Sequence, residues 1–191
     1  MHYAASNGHE KVLELFLNND NIVDKNPQNK YGFTPMHEAA RSGPENVLEL
    51  FLNNDNIENK NPQDKHGDTP MHEAARNGHE KVLELFLNND NIVDKHPQNE
   101  NGYTPMHRAA YYGHEKVLEL FLNNVNIENK NPQNKNGNTP MHVAAQGGQV
   151  KVLELFFNNV NIENKNPQNN IGKTPLQISK GQGLYTVLLP R

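Results

Sequence analysis

The 191-residue sequence contains neither cysteine nor tryptophan. Without cysteine there is no disulfide framework and no thiolate metal site. That suits a reducing compartment, and a cytoplasmic location is expected. Apolar residues are scarce, at 34% with a mean hydropathy of −0.89. Long hydrophobic runs are missing too. The stretch from Val12 to Leu17 is broken by Glu14, far short of the roughly 20 apolar residues a membrane span needs. No secretory leader stands out, because residues 1–17 already belong to the pattern described next. Cationic charge is not in surplus: 18 Lys and Arg face 22 Asp and Glu, for a net charge of −4. Such a balance does not favour neutralising phosphates, so neither nucleic acid nor a membrane is an expected partner.

What the chain does have is itself, repeated every 35 residues. Thr34-Pro35-Met36-His37 recurs at Thr69, Thr104 and Thr139, and a degraded copy stands at Thr174-Pro175-Leu176-Gln177. A fixed period of this size marks a solenoid. Each unit contacts mainly its neighbours, and thin units expose much surface, which accounts for the low apolar content.

One unit can be read physically. Thr69 is a good N-cap, its hydroxyl accepting from the free N–H groups of the first turn. Pro70 follows where its missing N–H costs nothing. Met71, Ala74 and Ala75 form one narrow apolar stripe, and Gly78 ends this short helix in the left-handed conformation. A second helix, with Val82, Leu83, Leu85, Phe86 and Leu87, starts at once. In one unit Pro44 stands where others carry His9, His79 or His114. Proline is tolerated only in a first turn, so the second helix starts close to Pro44. It is expected to end at Asn88-Asn89, with Asn in the left-handed position. Ile92 is expected to plug the base of the pair. The polar segment around Pro97 argues for a projecting turn or hairpin and against a long strand.

The run Thr-Pro-Met-His-Glu-Ala-Ala-Arg-Asn-Gly-His at 69–79 closely resembles the ankyrin repeat signature, as does Val-Leu-Glu-Leu-Phe-Leu at 82–87. The match covers essentially residues 1–189 in five successive copies. The resemblance implies an all-α solenoid of stacked helix–turn–helix units with hairpin-like fingers and a concave face. The expected organisation is a single domain over 1–191, with units at 1–35, 36–70, 71–105, 106–140 and 141–175 and a truncated sixth at 176–191. The period is two residues longer than is usual for the family, the excess falling in the finger. Gly181, Gly183 and Pro190 shorten the last unit, and Ser179 and Lys180 replace the paired alanines. The N-terminus lacks a polar cap, as a cut from a longer array would.

Aligning the chain with itself separates scaffold from variation. Five histidines, His2, His37, His72, His107 and His142, occupy one repeat position. Stacked helices lie roughly 8–10 Å apart, too far for neighbours to share a zinc at about 2 Å per bond. Their expected role is structural: bonding near the Thr cap and tying neighbouring turns. Glu14, Glu49, Glu84, Glu119 and Glu154 form a solvated ladder. No catalytic arrangement, phosphate loop or metal motif stands apart from the repeat, so no enzyme and no cofactor is expected.

Variation falls in three places. Flanking the finger glycine are Tyr31 and Phe33, His66 and Asp68, Asn101 and Tyr103, Asn136 and Asn138, Ile171 and Lys173. Ending the first helix are Arg41 and Ser42, Arg76 and Asn77, Tyr111 and Tyr112, Gln146 and Gly147. Two residues after the repeated Met stand Tyr3, Glu38, Glu73, Arg108 and Val143. In the ankyrin family these positions map onto the usual partner-binding face. Aromatic residues and Arg are enriched at interface hot spots. The expected anchors are Tyr103, Arg108, Tyr111 and Tyr112, with Tyr31, Phe33 and Arg41 a second group. The expected role is thus a monomeric module recognising a protein partner. The alternatives are a structural spacer or spring, or a consensus-like scaffold. Residues 7–25 and 77–95 are identical, which favours the spacer; selective variation favours binding.

Overall fold

In the computed structural model, which describes residues 1–181, the chain forms eleven helices and, among those residues, no strand. A first series comprises α1 (His2–Ser6), α3 (Pro35–Ser42), α5 (Pro70–Asn77), α7 (Pro105–Tyr112), α9 (Pro140–Gln146) and α11 (Pro175–Gly181). A second series comprises α2 (Glu10–Leu17), α4 (Glu45–Leu52), α6 (Glu80–Asn88), α8 (Glu115–Asn123) and α10 (Val150–Asn158). Each first helix packs on the next first helix, and each second helix on the next second helix, so the pairs stack into a solenoid.

The core runs the length of the stack. Met71, Ala74 and Ala75 are fully buried on α5, as are their equivalents on α3, α7 and α9. The paired alanines let first helices approach far more closely than second helices do. The side of the stack formed by the first helices is therefore the more closely packed one. Phe51, Phe86, Phe121 and Phe156 fill the space between layers, each contributing roughly 1.5–3 kcal/mol on full burial. Ile57, Ile92, Ile127 and Ile162 close the base of the pairs as expected. Burial depends on the preceding unit: Val82 is 1% exposed, whereas Val12, in the identical sequence of the first unit, is 44% exposed.

Helix starts follow from the sequence. The Thr69 side chain takes the N–H of His72, the third helical residue, and His72 Nδ1 accepts the Thr69 N–H at 3.1 Å. This is a capping box with histidine in the place usually held by Glu or Gln. Asn61 Oδ1 accepts the N–H of Met71 at 3.3 Å. With Pro70 lacking an N–H, the first turn leaves no orphan donor. Pro44 is the N-cap of α4.

Helix ends divide into two kinds. Helices α3, α5 and α7 end on a left-handed glycine, such as Gly78 at φ +75°, while α1 and α9 stop one residue earlier, on Asn7 and a right-handed Gly147, with Gly8 and Gly148 left-handed just beyond. Second helices do not end on left-handed Asn: no non-glycine residue among those described has positive φ. Asn18 and Asn53 stay helical, while Asn89, Asn124 and Asn159 turn extended. A lysine does the terminating instead. Lys60 Nζ donates to the carbonyls of Phe51 at 3.2 Å and Asn54 at 2.5 Å. Lys25, Lys95, Lys130 and Lys165 repeat the pair of bonds. An ammonium there adds a charged donor to carbonyls whose other partners are single backbone N–H groups, and it complements the helix dipole. In the last unit Ser179 is buried, its hydroxyl donating to the Pro175 carbonyl at 2.9 Å, and Lys180 is exposed. Helix α11 is described through Gly181, the last described residue; Gly183 and Pro190 lie outside the described residues.

Candidate functional site

Each finger is a narrow turn held by one side chain. Asn29 Oδ1 accepts the N–H groups of Tyr31 at 2.8 Å and Phe33 at 3.2 Å, and Asn29 N–H donates to the Phe33 carbonyl at 2.8 Å. Successive fingers are joined through the backbone: Lys65 N–H to Tyr31 O, Glu100 to His66, Lys135 to Asn101 and Asn170 to Asn136, at 3.0–3.2 Å. Gly32 allows this on two grounds. Its φ is +83°, and a Cβ there would stand 2.7 Å from Lys65 N.

The repeated histidines lie behind the fingers. Because Nδ1 accepts the Thr N–H, the proton sits on Nε2. From there His37 donates to the Asp68 carbonyl, His72 to Tyr103, His107 to Asn138 and His142 to Lys173, at 2.9–3.1 Å. Each ring therefore ties its own helix cap to the next finger. Burial is the main cause that pulls the pKa of all four below the usual histidine range, His72 and His107 to about 4. They are neutral at pH 7. A second ladder runs from His79 Nε2 to Arg41 O and from His114 Nε2 to Arg76 O, both 2.9 Å. Gln149 Nε2 makes the same bond to Tyr111 O, so Gln replaces His without loss of the contact.

Onto this frame the variable residues are set. Tyr111 and Tyr112, both more than 40% exposed, meet edge-on at 5.1 Å. The Arg76 guanidinium lies 5.5 Å from the Tyr112 ring, and that of Arg108 lies 5.5 Å from the Tyr103 ring. Tyr103 is half-buried, edge-on to His107. These four anchors thus fall into two neighbouring aromatic–arginine groups. Phe33 stacks on His37 at 4.9 Å, and Tyr31 is exposed beside Lys30. Arg41, His66, Asn77 and Asn101 are exposed. Asp68 is different. Its Oδ2 accepts Arg108 Nη2 and its Oδ1 accepts Asn99 Nδ2, both at 2.8 Å, and its side chain is largely buried. That carboxylate holds the chain to itself.

Glu73, also buried, sits among Arg76, Arg41 and Arg108, which pull its pKa down; burial outweighs them and raises it. A further departure is His96. It occupies the position of Asn26, Asn61, Asn131 and Asn166, yet neither ring nitrogen has a partner. Burial holds its pKa near 3, and its ring meets Phe121 edge-on. The capping lysines and His96 were the residues that function-directed reading passed over. The period displays both, one as an unbroken series and one as its single break.

Among the described residues no cluster of His, Asp and Glu has the arrangement to hold a metal ion, and no helix is long and apolar enough to cross a membrane. The family model for ankyrin repeats matches the chain in three copies, over residues 1–64, 56–131 and 125–189. The chain belongs to the ankyrin repeat family. Each match spans about two 35-residue units, and together they cover all the helix pairs described above. Ankyrin repeats are in general non-enzymatic protein-interaction modules. Curated proteins offer no match to this ankyrin chain.

Proposed function

We propose that this ankyrin array is a recognition module that binds a protein partner on the face formed by its fingers and first helices. The observation that carries this reading is the clustering of the variable aromatic and arginine residues. Tyr103 with Arg108, and Tyr111 and Tyr112 with Arg76, form adjacent groups on α7, its finger and the end of α5. Aromatic rings flanked by guanidinium groups supply large contact area at small entropy cost. The second helices, by contrast, hardly vary from unit to unit. The reading includes a monomeric, cytoplasmic protein and treats 1–191 as one domain.

The near-identity of the units supports a second reading, a spacer without a dedicated partner. Pull-down with the wild-type chain and a Tyr111→Ala/Tyr112→Ala variant separates the two. Loss of specific partners from the variant supports recognition. Equal recovery of every captured protein supports the spacer.

A further inference from the structure

The net charge of −4 conceals a division between two faces. The segments 9–25, 44–60, 79–95, 114–130 and 149–165, which hold the second helices and the loops after them, contain 17 of the 22 carboxylates and nine cations. Five of those cations are the capping lysines, turned inward onto helix ends. The remaining described segments, the fingers and first helices, contain five carboxylates and eight cations. Their carboxylates are mostly engaged. Asp68 is paired with Arg108, Asp64 accepts the N–H groups of His66 and Asp68, and Glu73 is buried. Lys65, Arg41 and Arg76 are exposed. The back of the solenoid is therefore strongly acidic and its groove is basic.

From this polarity, and resting on the recognition reading above, we infer that the partner is an acidic polypeptide segment lying extended along the groove. Its carboxylates face Arg41, Arg76 and the finger lysines, and an apolar or aromatic side chain seats against Tyr111 and Tyr112. The acidic back repels the same segment, which confines it to one face. At roughly 10 Å per stacked unit, about twelve extended residues cross four units.

Fluorescence anisotropy tests this with three labelled probes on the full chain. They are a twelve-residue peptide alternating Glu and Leu, its Lys/Leu counterpart, and a single-stranded RNA of equal length. The Glu/Leu peptide is expected to bind, about tenfold more weakly to Arg41→Glu/Arg76→Glu, and less tightly as salt rises. Arg41→Gln/Arg76→Gln, with circular dichroism to verify folding, gives the same order with a smaller loss. Three results overturn the inference: equal binding of the Lys/Leu peptide, RNA binding in place of the peptide, or indifference to both arginine variants. If any of these occurs while captured proteins still depend on Tyr111 and Tyr112, the acidic partner falls and the recognition reading stands. If capture is also indifferent to the tyrosines, both fall.

Discussion

Arg108 on α7 reaches back across a whole repeat to Asp68, whose carboxylate it meets at 2.8 Å while Asn99 holds the other oxygen. One side chain thus joins two fingers and a helix. The same link recurs in neutral form, where Asn169 Nδ2 donates to Asn138 Oδ1 at 2.7 Å. Asp68→Ala is expected to cost about 1–2 kcal/mol, because it strips partners from two donors. Asp68→Asn, which imitates the neutral version, costs less. Arg108 is partly exposed, so a double-mutant cycle of Asp68→Ala with Arg108→Ala should give a coupling of about 1 kcal/mol or less. Urea denaturation of the four chains measures it.

Acid weakens the array before most carboxylates titrate. His72 and His107 have folded pKa values of about 4, against about 6.5 when unfolded. The folded state therefore prefers the neutral ring. This contribution is whole above about pH 6.5 and is lost as pH falls toward 4, where the unfolded chain binds more protons. Denaturation midpoints should fall steadily across that window. His107→Gln should lower stability at pH 7 yet flatten the pH dependence. Gln177 already serves in the degraded copy, its Oε1 accepting the Thr174 N–H at 2.9 Å.

Lys60 is a solvent-shielded helix terminator rather than a surface charge. Lys60→Met keeps the apolar stem and removes the ammonium, leaving the Phe51 and Asn54 carbonyls with only the backbone N–H groups of Asn54 and Ile57. The expected cost is about 1–3 kcal/mol. Lys11→Met, on an exposed site, is expected to change stability by less than about 0.5 kcal/mol. Equal effects in chemical denaturation would refute the assignment.

His96 and Asn131 are the two breaks in a series in which Asn26, Asn61 and Asn166 accept a helix N–H: the His96 ring nitrogens and Asn131 Oδ1 are buried without partners. His96→Asn restores the residue that receives a helix N–H in three other units, as Asn26 does from Met36 at 3.1 Å. It is expected to raise stability by about 1 kcal/mol. A lower urea midpoint for the variant would show that the ring packing on Phe121 outweighs the unpaired nitrogens.

The period made the solenoid, the helix boundaries and the histidine role legible, because repetition turns one physical reading into five. Left-handed Asn was the wrong terminator because a residue-by-residue reading weighs backbone preference. The real terminator, Lys60 and its equivalents, acts from six and nine residues away along the chain. Asp68 looked like a partner-facing charge because its consumer, Arg108, is 40 residues distant and becomes adjacent only on stacking. The groove's basic character was hidden for a related reason: total charge sums two faces that the fold separates.

The two edges of the solenoid differ in how they resist deformation. Along the front, adjacent fingers share short, directional backbone and histidine hydrogen bonds. Along the back, second helices meet through apolar contacts and exposed Lys81–Glu45 and Lys116–Glu80 pairs at 3.3 and 3.9 Å, which are individually weak. Under tension the back edge is expected to stretch first, changing curvature while the pitch of the fingers holds. A partner lying along the fingers, as proposed above, would then meet a ruler with fixed graduations, whatever bend the rest of the array adopts.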